Sequence, residues 1–240
     1  MQKLNSKSRL IFYLLCALLQ FFNISAKEAH VIDPECRMLL EHIYEAIIDA
    51  GINPVELQGT NTSVITAISN CDTFLDLIYE KSHVCSLHCV IANKISYSLG
   101  VAGTSYNIDI ACISSHYAMI EAYRMILSGI CEAAIVARIL PNDGYCKLYD
   151  EEGSGYMRSD AVVITYLQKT KDAGRIYATF VYGKTNCDGF KEEGIIFTSF
   201  DKEKMLLEEF YEDCSVKSVK SNNGHPEPVS DHCQIGKVNL

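Results

Sequence analysis

The feature that most constrains the fold of this chain is a strand-like segment, a short turn and a helix-like segment that follow one another between residues 105 and 129. Ser105–Ile110 alternates polar and apolar residues with a period of two, which is typical of a half-buried strand. Downstream, apolar residues recur with helical spacing until Gly129, namely Ala118, Met119, Ala122, Tyr123 and Ile126. The turn between the two segments contains Cys112. The sequence therefore predicts a cysteine at the start of a helix.

A cysteine in this position has two interpretations. Unpaired N–H groups and the positive end of the helix dipole would favour the thiolate of Cys112 over the thiol, which makes Cys112 a candidate acyl-accepting nucleophile. Alternatively, Cys112 is a small buried hydrophobic residue, as most cysteines outside disulfides are. Its position in the sequence leaves both interpretations open.

The remaining chain also alternates between helical and strand-like segments. Asp33 as N-cap and Pro34 at the first helical position begin a helix that Gly51 ends, with an apolar face at Met38, Leu39, Ile43, Ile47 and Ala50. The runs of strand length are 63–68, 133–139, 161–167 and 176–182, and further helices are predicted over 87–97 and 202–211. Strands that alternate with helices predict an α/β sheet with both faces covered.

Composition favours a single globular domain. Of the 240 residues, 48% are hydrophobic and 21% are charged, which allows one sizeable core. The formal net charge is −9 and no basic block offsets it, so nucleic acid is not an expected partner.

The eleven cysteines do not form a recognisable framework. Their number is odd and they are spread over predicted strands and helices, which favours reduced thiols over disulfides. Cys85 and Cys89 lie beside His83 and His88, which is an alternative zinc-binding pattern. Because no paired C-x₂-C unit and no second cluster accompany them, no metal site is predicted.

The first residues have the layout of a signal peptide. Lys3, Lys7 and Arg9 precede the apolar run Leu10–Phe22, and Ser25-Ala26 offers small residues before a cleavage site. The apolar run is too short to predict a transmembrane helix. The secretory pathway is therefore one hypothesis for the localisation of this protein.

A resemblance to a known family rests first on Asp109-Ile110-Ala111-Cys112-Ile113-Ser114-Ser115, which is similar to the nucleophile motif of the β-ketoacyl synthase domain of animal-type fatty acid synthase. Further segments resemble this family in the same order, namely 21–22, 27–30, 33–34, 44–46, 51–54, 92–96, 155–159, 185–192 and 218–227. The resemblance implies an incomplete, thiolase-like α/β fold that corresponds to the N-terminal half of a ketoacyl synthase. It also implies a cytoplasmic protein, in which 23–240 is a partial β-ketoacyl synthase domain and 1–22 is a signal-like or replaced segment.

The chemistry that the resemblance implies is a decarboxylative condensation of acyl units. Cys112 would be the acyl nucleophile, His225 one of two catalytic histidines, and Lys220 an electrostatic support of the site. The substrates would be acyl and malonyl thioesters on the phosphopantetheine arm of an acyl carrier protein, without a cofactor, and a homodimer or a synthase partner is a further hypothesis. Asp188 is expected to hold a loop rather than to react. Without the resemblance, His225 is typical of a turn and Lys220 of a solvated surface.

The chain also departs from the family pattern. Glu212–Val216 runs directly into Lys217–Lys220, so the Glu-Ala-His-Gly-Thr-Gly-Thr motif of the second catalytic histidine has no counterpart. Parts of the family domain are also missing near Ala137–Pro141, before Phe21 and after Leu240. These departures predict impaired condensation. The alternatives are a non-catalytic synthase paralogue that binds acyl chains, a carrier protein or a dimer partner, and a secreted cysteine-rich α/β protein.

Overall fold

Four α-helices and four β-strands make up the regular structure of the part of the chain that is described. The structure is a computed structural model and describes Phe22 and residues 34–68, 88–110, 113–140, 161–192, 194 and 199–214. The helices are α1 (Pro34–Asp49), α2 (His88–Leu99), α3 (Ser114–Leu127) and α4 (Phe200–Cys214). The strands are β1 (Thr62–Thr66), β2 (Ser105–Asn107), β3 (Ala133–Leu140) and β4 (Ala161–Gln168), and short 3-10 helices span Pro54–Leu57 and Thr170–Asp172.

The four strands form one sheet in the order β2-β1-β3-β4. β1 is parallel to both of its neighbours, with Val64 opposite Ser105 of β2 and opposite Ile135 of β3. β4 is antiparallel to β3, with Tyr166 opposite Ile135. Every residue from 62 to 68 is buried. β1 is therefore a central strand that is covered on both faces, as expected for parallel strands in α/β proteins.

Helices cover the two faces of the sheet with apolar stripes. On one face, α1 and α2 pack against Val64 of β1 through Leu39, Leu40, Ile43, Ile47, Ile91 and Ile95. On the other face, α3 packs against Ile65 of β1 through Ala118, Met119, Ala122, Met125 and Ile126. Successive residues of a strand point to opposite faces, so Val64 and Ile65 contribute to different cores.

Most of the predicted elements are confirmed. α1 begins at Pro34, and Gly51 beyond its end has a φ of +80°, the left-handed conformation that glycine adopts readily after a helix. The predicted strands at 63–68, 133–139 and 161–167 correspond to β1, β3 and β4. The predicted helices at 87–97 and 202–211 correspond to α2 and α4, with ends that differ by a few residues. Asp33, the predicted N-cap, lies outside the described residues.

The strand predicted over 176–182 is wrong, because this segment has no strand pairing. Tyr177 and Val181 are exposed rather than buried against a neighbouring strand. The segment instead lies along α3, where the Tyr123 hydroxyl donates to the Val181 carbonyl at 2.8 Å and the Tyr123 ring packs edge-on against Phe180 at 5.1 Å. A strand needs a partner strand as well as suitable residues, and here a helix is the neighbour.

Two smaller expectations are also wrong. Met38, predicted to lie on the apolar face of α1, is 41% exposed, whereas Leu40 is fully buried. The strand predicted over Ser105–Ile110 is shorter, because β2 ends at Asn107. The first difference concerns which residues of α1 are buried and the second concerns where β2 ends, and the type of each element is as predicted.

The packing of α1 predicts opposite outcomes for two neighbouring isoleucines. Ile47 is fully buried against the sheet, whereas the side chain of Ile48 is 50% exposed. We expect Ile47→Ala to lower the free energy of unfolding by about 2–5 kcal/mol, since it leaves a cavity in the core. Ile48→Ala should lower it by about 1 kcal/mol or less, since half of this side chain is already in water and alanine favours a helix. Urea unfolding of both variants measures the difference, and equal losses would contradict the packing.

Candidate functional site

The segments on both sides of the predicted nucleophile are described, although the expected site residues Cys112, Lys220 and His225 themselves lie outside the described residues. Ile110 follows β2, and Ile113 precedes α3. The predicted strand before Cys112 and the predicted helix after it are therefore confirmed, and the turn at 111–112 lies outside the described residues.

The carboxyl ends of three parallel strands meet beside the turn. The Asn107 side chain, at the end of β2, bonds to Ile68 beyond the end of β1 and to the Thr66 hydroxyl. The Ala67 N–H donates to the Ala137 carbonyl of β3 at 2.9 Å. In open α/β sheets, ligands bind outside the carboxyl ends of the strands. This edge of the sheet is therefore where a substrate site is expected.

α3 begins at this edge without a side-chain cap. Ile113 occupies the N-cap position with φ −98° and ψ 7°, and its side chain has no acceptor atom. The first turn of α3 contains no acidic residue. Ser114, the first helical residue, has its Oγ 2.7 Å from the Ile110 N–H, which donates to it. Neither the side chain at the N-cap position nor an acidic residue in the first turn therefore offsets the positive end of the helix dipole.

A polar loop lies against the outer side of α3. Tyr117 of α3 donates from its hydroxyl to the Asn186 carbonyl at 3.3 Å. Within the loop, Asp188 accepts from the Lys191 ammonium at 2.7 Å and from the Ser199 N–H at 2.8 Å. The bond from Lys191, followed by the bond from the Ser199 amide, lowers the pKa of Asp188 from its ordinary value. The expectation that Asp188 holds a loop is confirmed by these bonds.

The described cysteines differ in exposure. Cys36 and Cys131 are buried, Cys187 is exposed, and none of the three forms a disulfide. Burial raises the pKa of the Cys131 thiol from its ordinary value. Within the described ranges, no group of three His, Cys, Asp or Glu side chains could hold a metal ion. The side chains of 83–89, which formed the alternative zinc pattern, lie outside those ranges.

Sequence reasoning did not assign roles to Asn107 and Ser114. Asparagine is disfavoured inside strands and common where a chain turns, because its side chain bonds readily to nearby backbone. This preference could have marked Asn107 as the end of β2. The partner of Ser114 is local in sequence, and serine next to a helix start is a recognised backbone acceptor.

Comparison with known proteins identifies the family. The family model described as "Beta-ketoacyl synthase, N-terminal domain" matches residues 16–139, just over half of the chain. The chain is also 35% identical to a fatty acid synthase of Anser anser anser over 283 aligned positions, which cover 92% of this chain and 80% of that protein. This chain belongs to the β-ketoacyl synthase family.

Solved ketosynthases share the fold of this β-ketoacyl synthase chain. The ketosynthase from module 6 of the bacillaene synthase from Bacillus subtilis 168 has a TM-score of 0.80 at 22% identity over 92% of this chain and 50% of that one. The ketosynthase from module 1 of the bacillaene synthase from Bacillus amyloliquefaciens FZB42 has a TM-score of 0.77 at 22% identity over 92% and 54%. The expected thiolase-like α/β fold is confirmed.

The ketoacyl synthase chain spans different shares of its relatives. It spans about half of the length of the two solved ketosynthases. It is also 34% identical to a probable polyketide synthase of Dictyostelium discoideum, in an alignment that covers 70% of this chain and 7% of that protein. Its family is that of the condensing domains of fatty acid and polyketide synthases. In the parts of the chain that are described, no helix has both the length and the apolar character needed to cross a membrane.

The contacts at the start of α3 predict opposite effects for two adjacent serines. The Ser114 hydroxyl accepts the Ile110 N–H, whereas the buried Ser115 hydroxyl has no hydrogen-bond partner among the described residues. Ser114→Ala should lower the free energy of unfolding by about 1–3 kcal/mol, because it leaves an amide without its acceptor. Ser115→Ala should change it by about 0.5 kcal/mol or less, or stabilise the protein. Denaturant unfolding distinguishes the two, and a costlier Ser115→Ala would contradict the assignment.

The Asp188 contacts predict a pH dependence at low pH. Because the pKa of Asp188 is lowered in the folded state, its contribution to stability is present above its ordinary value of 3.8 and is lost as the pH falls through the folded-state pKa. Carbon-13 NMR of the carboxyl should show that Lys191→Met raises the pKa of Asp188 towards 3.8. Lys204→Met is the control, since Lys204 pairs with Glu208 on α4, and it should leave the Asp188 pKa unchanged. If the pKa of Asp188 is unchanged in Lys191→Met, a group other than Lys191 lowers it.

Proposed function

We propose that this ketoacyl synthase chain accepts a fatty acyl group on Cys112 from a carrier thioester. Cys112 ionises, its thiolate attacks the thioester carbonyl, and the bond from the carbonyl carbon to the carrier sulfur breaks as a new thioester forms on Cys112; the carrier thiolate takes up the proton that Cys112 released. The supporting observation is that Ile110 and Ile113, on either side of Cys112 in sequence, lie at the end of the sheet and at the uncapped start of α3. A helix N-terminus favours the thiolate and stabilises an oxyanion that develops beside it.

The substrate class that we propose is an acyl thioester, with a malonyl thioester as the second substrate. The fatty acid synthase of Anser anser anser, of which this chain covers 80%, supports fatty acyl rather than other acyl groups. The donor would be the phosphopantetheine arm of an acyl carrier protein. A polyketide-type acyl group is the competing substrate, since polyketide synthases of Dictyostelium discoideum reach 34–35% identity.

The domain limits that we propose are a partial synthase domain over 23–240 and a signal-like segment over 1–22 whose last residues continue into the synthase domain. The family match begins at residue 16, inside the apolar run Leu10–Phe22. Part of the signal-like segment thus aligns with the synthase family. This overlap favours a cytoplasmic protein over the secretory alternative.

Condensation is the step that we propose to be impaired. His225 would assist decarboxylation of the malonyl thioester, and Lys220 would stabilise the negative charge that develops. The motif of the second catalytic histidine has no counterpart in this sequence. Loss of one acid–base group slows a reaction by roughly 10²–10⁴-fold. Acyl transfer onto Cys112 includes no decarboxylation and so does not depend on the two histidines in that role. It would therefore persist when carbon–carbon bond formation is slow.

A non-catalytic synthase paralogue is the second candidate function, and the outer strand of the sheet supports it. β4 has no paired strand on its outer side among the described residues. Its sequence, Ala-Val-Val-Ile-Thr-Tyr-Leu-Gln, contains no charge and no proline. Strand edges without charges or proline pair readily with other chains. In this second function, β4 would bind a dimer partner or an active synthase.

Acylation of the full chain tests the first function. After incubation with an octanoyl thioester, mass spectrometry of peptides should find the acyl group on Cys112 and not on the exposed Cys187. Cys112→Ala should abolish the labelling, and the matched control Cys187→Ala should leave it unchanged. With malonyl thioester added, the condensed product should form about 10²–10⁴-fold more slowly than with a ketoacyl synthase that has both catalytic histidines, because one acid–base group is missing.

Acylation together with sedimentation velocity distinguishes the two functions. Equal labelling of all the cysteines, or none, would contradict the acyl-enzyme. Self-association in sedimentation velocity that survives Cys112→Ala, together with no acylation, would instead support the non-catalytic paralogue.

A further inference from the structure

We propose that Asn107 is a positioning residue for Cys112, because it fixes to the sheet the backbone that leads from β2 towards Cys112. The inference rests on the proposed function, in which Cys112 is the acyl-accepting nucleophile. Asn107 is the last residue of β2 and lies five positions before Cys112 in the sequence. It is a polar residue at the point where a strand stops and the chain turns towards a helix.

The Asn107 side chain takes over the pairing between β1 and β2 where the backbone pairing stops. The last paired positions are Thr66 and Asn107, and the Ile108 N–H still donates to the Thr66 carbonyl at 2.8 Å. Beyond that point, Asn107 Oδ1 accepts from the Ile68 N–H at 3.0 Å and Asn107 Nδ2 donates to the Ile68 carbonyl at 3.1 Å. Both backbone groups of Ile68 are thus satisfied by a side chain. The backbone of β2 can therefore leave the sheet without leaving Ile68 unpaired.

A third contact holds the Asn107 amide in place. The buried Thr66 hydroxyl donates to Asn107 Oδ1 at 3.0 Å. The Ile68 N–H faces Oδ1 and the Ile68 carbonyl faces Nδ2, so a reversed amide would place like groups against each other at both of these positions, whereas the Thr66 hydroxyl can donate or accept. The three bonds define one position of the side chain relative to the end of β1.

The chain is held a second time before α3 begins. The Ile110 N–H donates to Ser114 Oγ at 2.7 Å, which ties the departing backbone to the first helical residue. Asn107 fixes this segment to the sheet and Ser114 fixes it to the helix. The distance between the two attachments limits where a residue between them can lie. Since a shift of about 1 Å at a reacting atom can cost about 10²-fold in rate, loss of the Asn107 contacts should slow the reaction of Cys112.

The opposite end of the same strand pair offers a matched control. Ser63 Oγ and Thr104 Oγ1 lie 3.0 Å apart and join β1 to β2 where the two strands begin. Thr104→Val removes this side-chain contact, as Asn107→Ala removes the one at the carboxyl end. Both variants weaken the pairing of β1 with β2. Only Asn107→Ala acts at the end that leads to Cys112.

The test compares the reactivity of Cys112 in Asn107→Ala, Thr66→Val and Thr104→Val forms of the full chain. Iodoacetamide over a pH series and an octanoyl thioester are the probes, and peptide mass spectrometry reads Cys112 and Cys187 separately. Asn107→Ala should slow acylation of Cys112 by about 10- to 100-fold and raise the pH midpoint of its alkylation, because the thiolate loses its place at the helix start. Thr66→Val removes one hydrogen bond and leaves no buried group without a partner. It should change the acylation rate and the pH midpoint in the same directions as Asn107→Ala, but by smaller amounts. Thr104→Val should leave the Cys112 midpoint where it is, and Cys187 should react alike in all forms.

The outcomes for the positioning role of Asn107 and for the acylation of Cys112 can be told apart. Equal rates and equal pH midpoints in Asn107→Ala and Thr104→Val would overturn the positioning role and leave the acyl-enzyme intact. A wild-type chain whose Cys112 is not acylated selectively would overturn the proposed function and the positioning role together. If Asn107→Ala does not fold, Thr66→Val decides, and an unchanged Cys112 midpoint in that variant would overturn the role of Asn107.

Discussion

The structure depends on β1, which pairs with a parallel strand on each side and is buried on both faces. A strand in this position has its backbone groups satisfied by β2 and β3, and both sets of its side chains must be covered. Val64 and Ile65 meet this need from opposite faces, the first with α1 and α2, the second with α3. Three layers of structure therefore follow from one fully buried strand of five residues.

The parallel arrangement also determines where chemistry can take place. Parallel neighbours are joined by crossovers, so all three parallel strands end at the same edge of the sheet and the connection to α3 starts there. At this edge Asn107 bonds to Ile68, and Ile110 bonds to Ser114 at the uncapped start of α3. The described segments on either side of the proposed nucleophile, 108–110 and α3, therefore lie at the carboxyl ends of the strands and at the positive end of a helix dipole.

The local patterns predicted the elements well, and their errors have a common cause. Among the described elements, the period-two and period-3.6 patterns located β1, β3, α1, α2 and α3, which bury one stripe or both faces of their own residues. The patterns also located β4 and α4, whose described residues are partly buried or exposed. The segment 176–182 has strand-forming residues, yet its partner is Tyr123 of α3 rather than another strand. Met38 is apolar and yet exposed, since Leu40 rather than Met38 faces the sheet. A hydrophobic pattern shows which side chains a segment is able to bury, and the element packed against the segment determines which of them are buried.

The sequence by itself determined the family and the order of a strand before Cys112 and a helix after it, because motif order and hydrophobic period are properties of the chain alone. It also marked Asp188 as a residue that holds a loop, which its bonds to Lys191 and Ser199 bear out. Only the tertiary structure decided which residues hold the backbone that leaves β2. Asn107 finds Ile68, 39 positions earlier in the chain, because β1 and β2 are adjacent and end at one edge. Contacts between residues this far apart depend on how the strands pair, which no local pattern specifies.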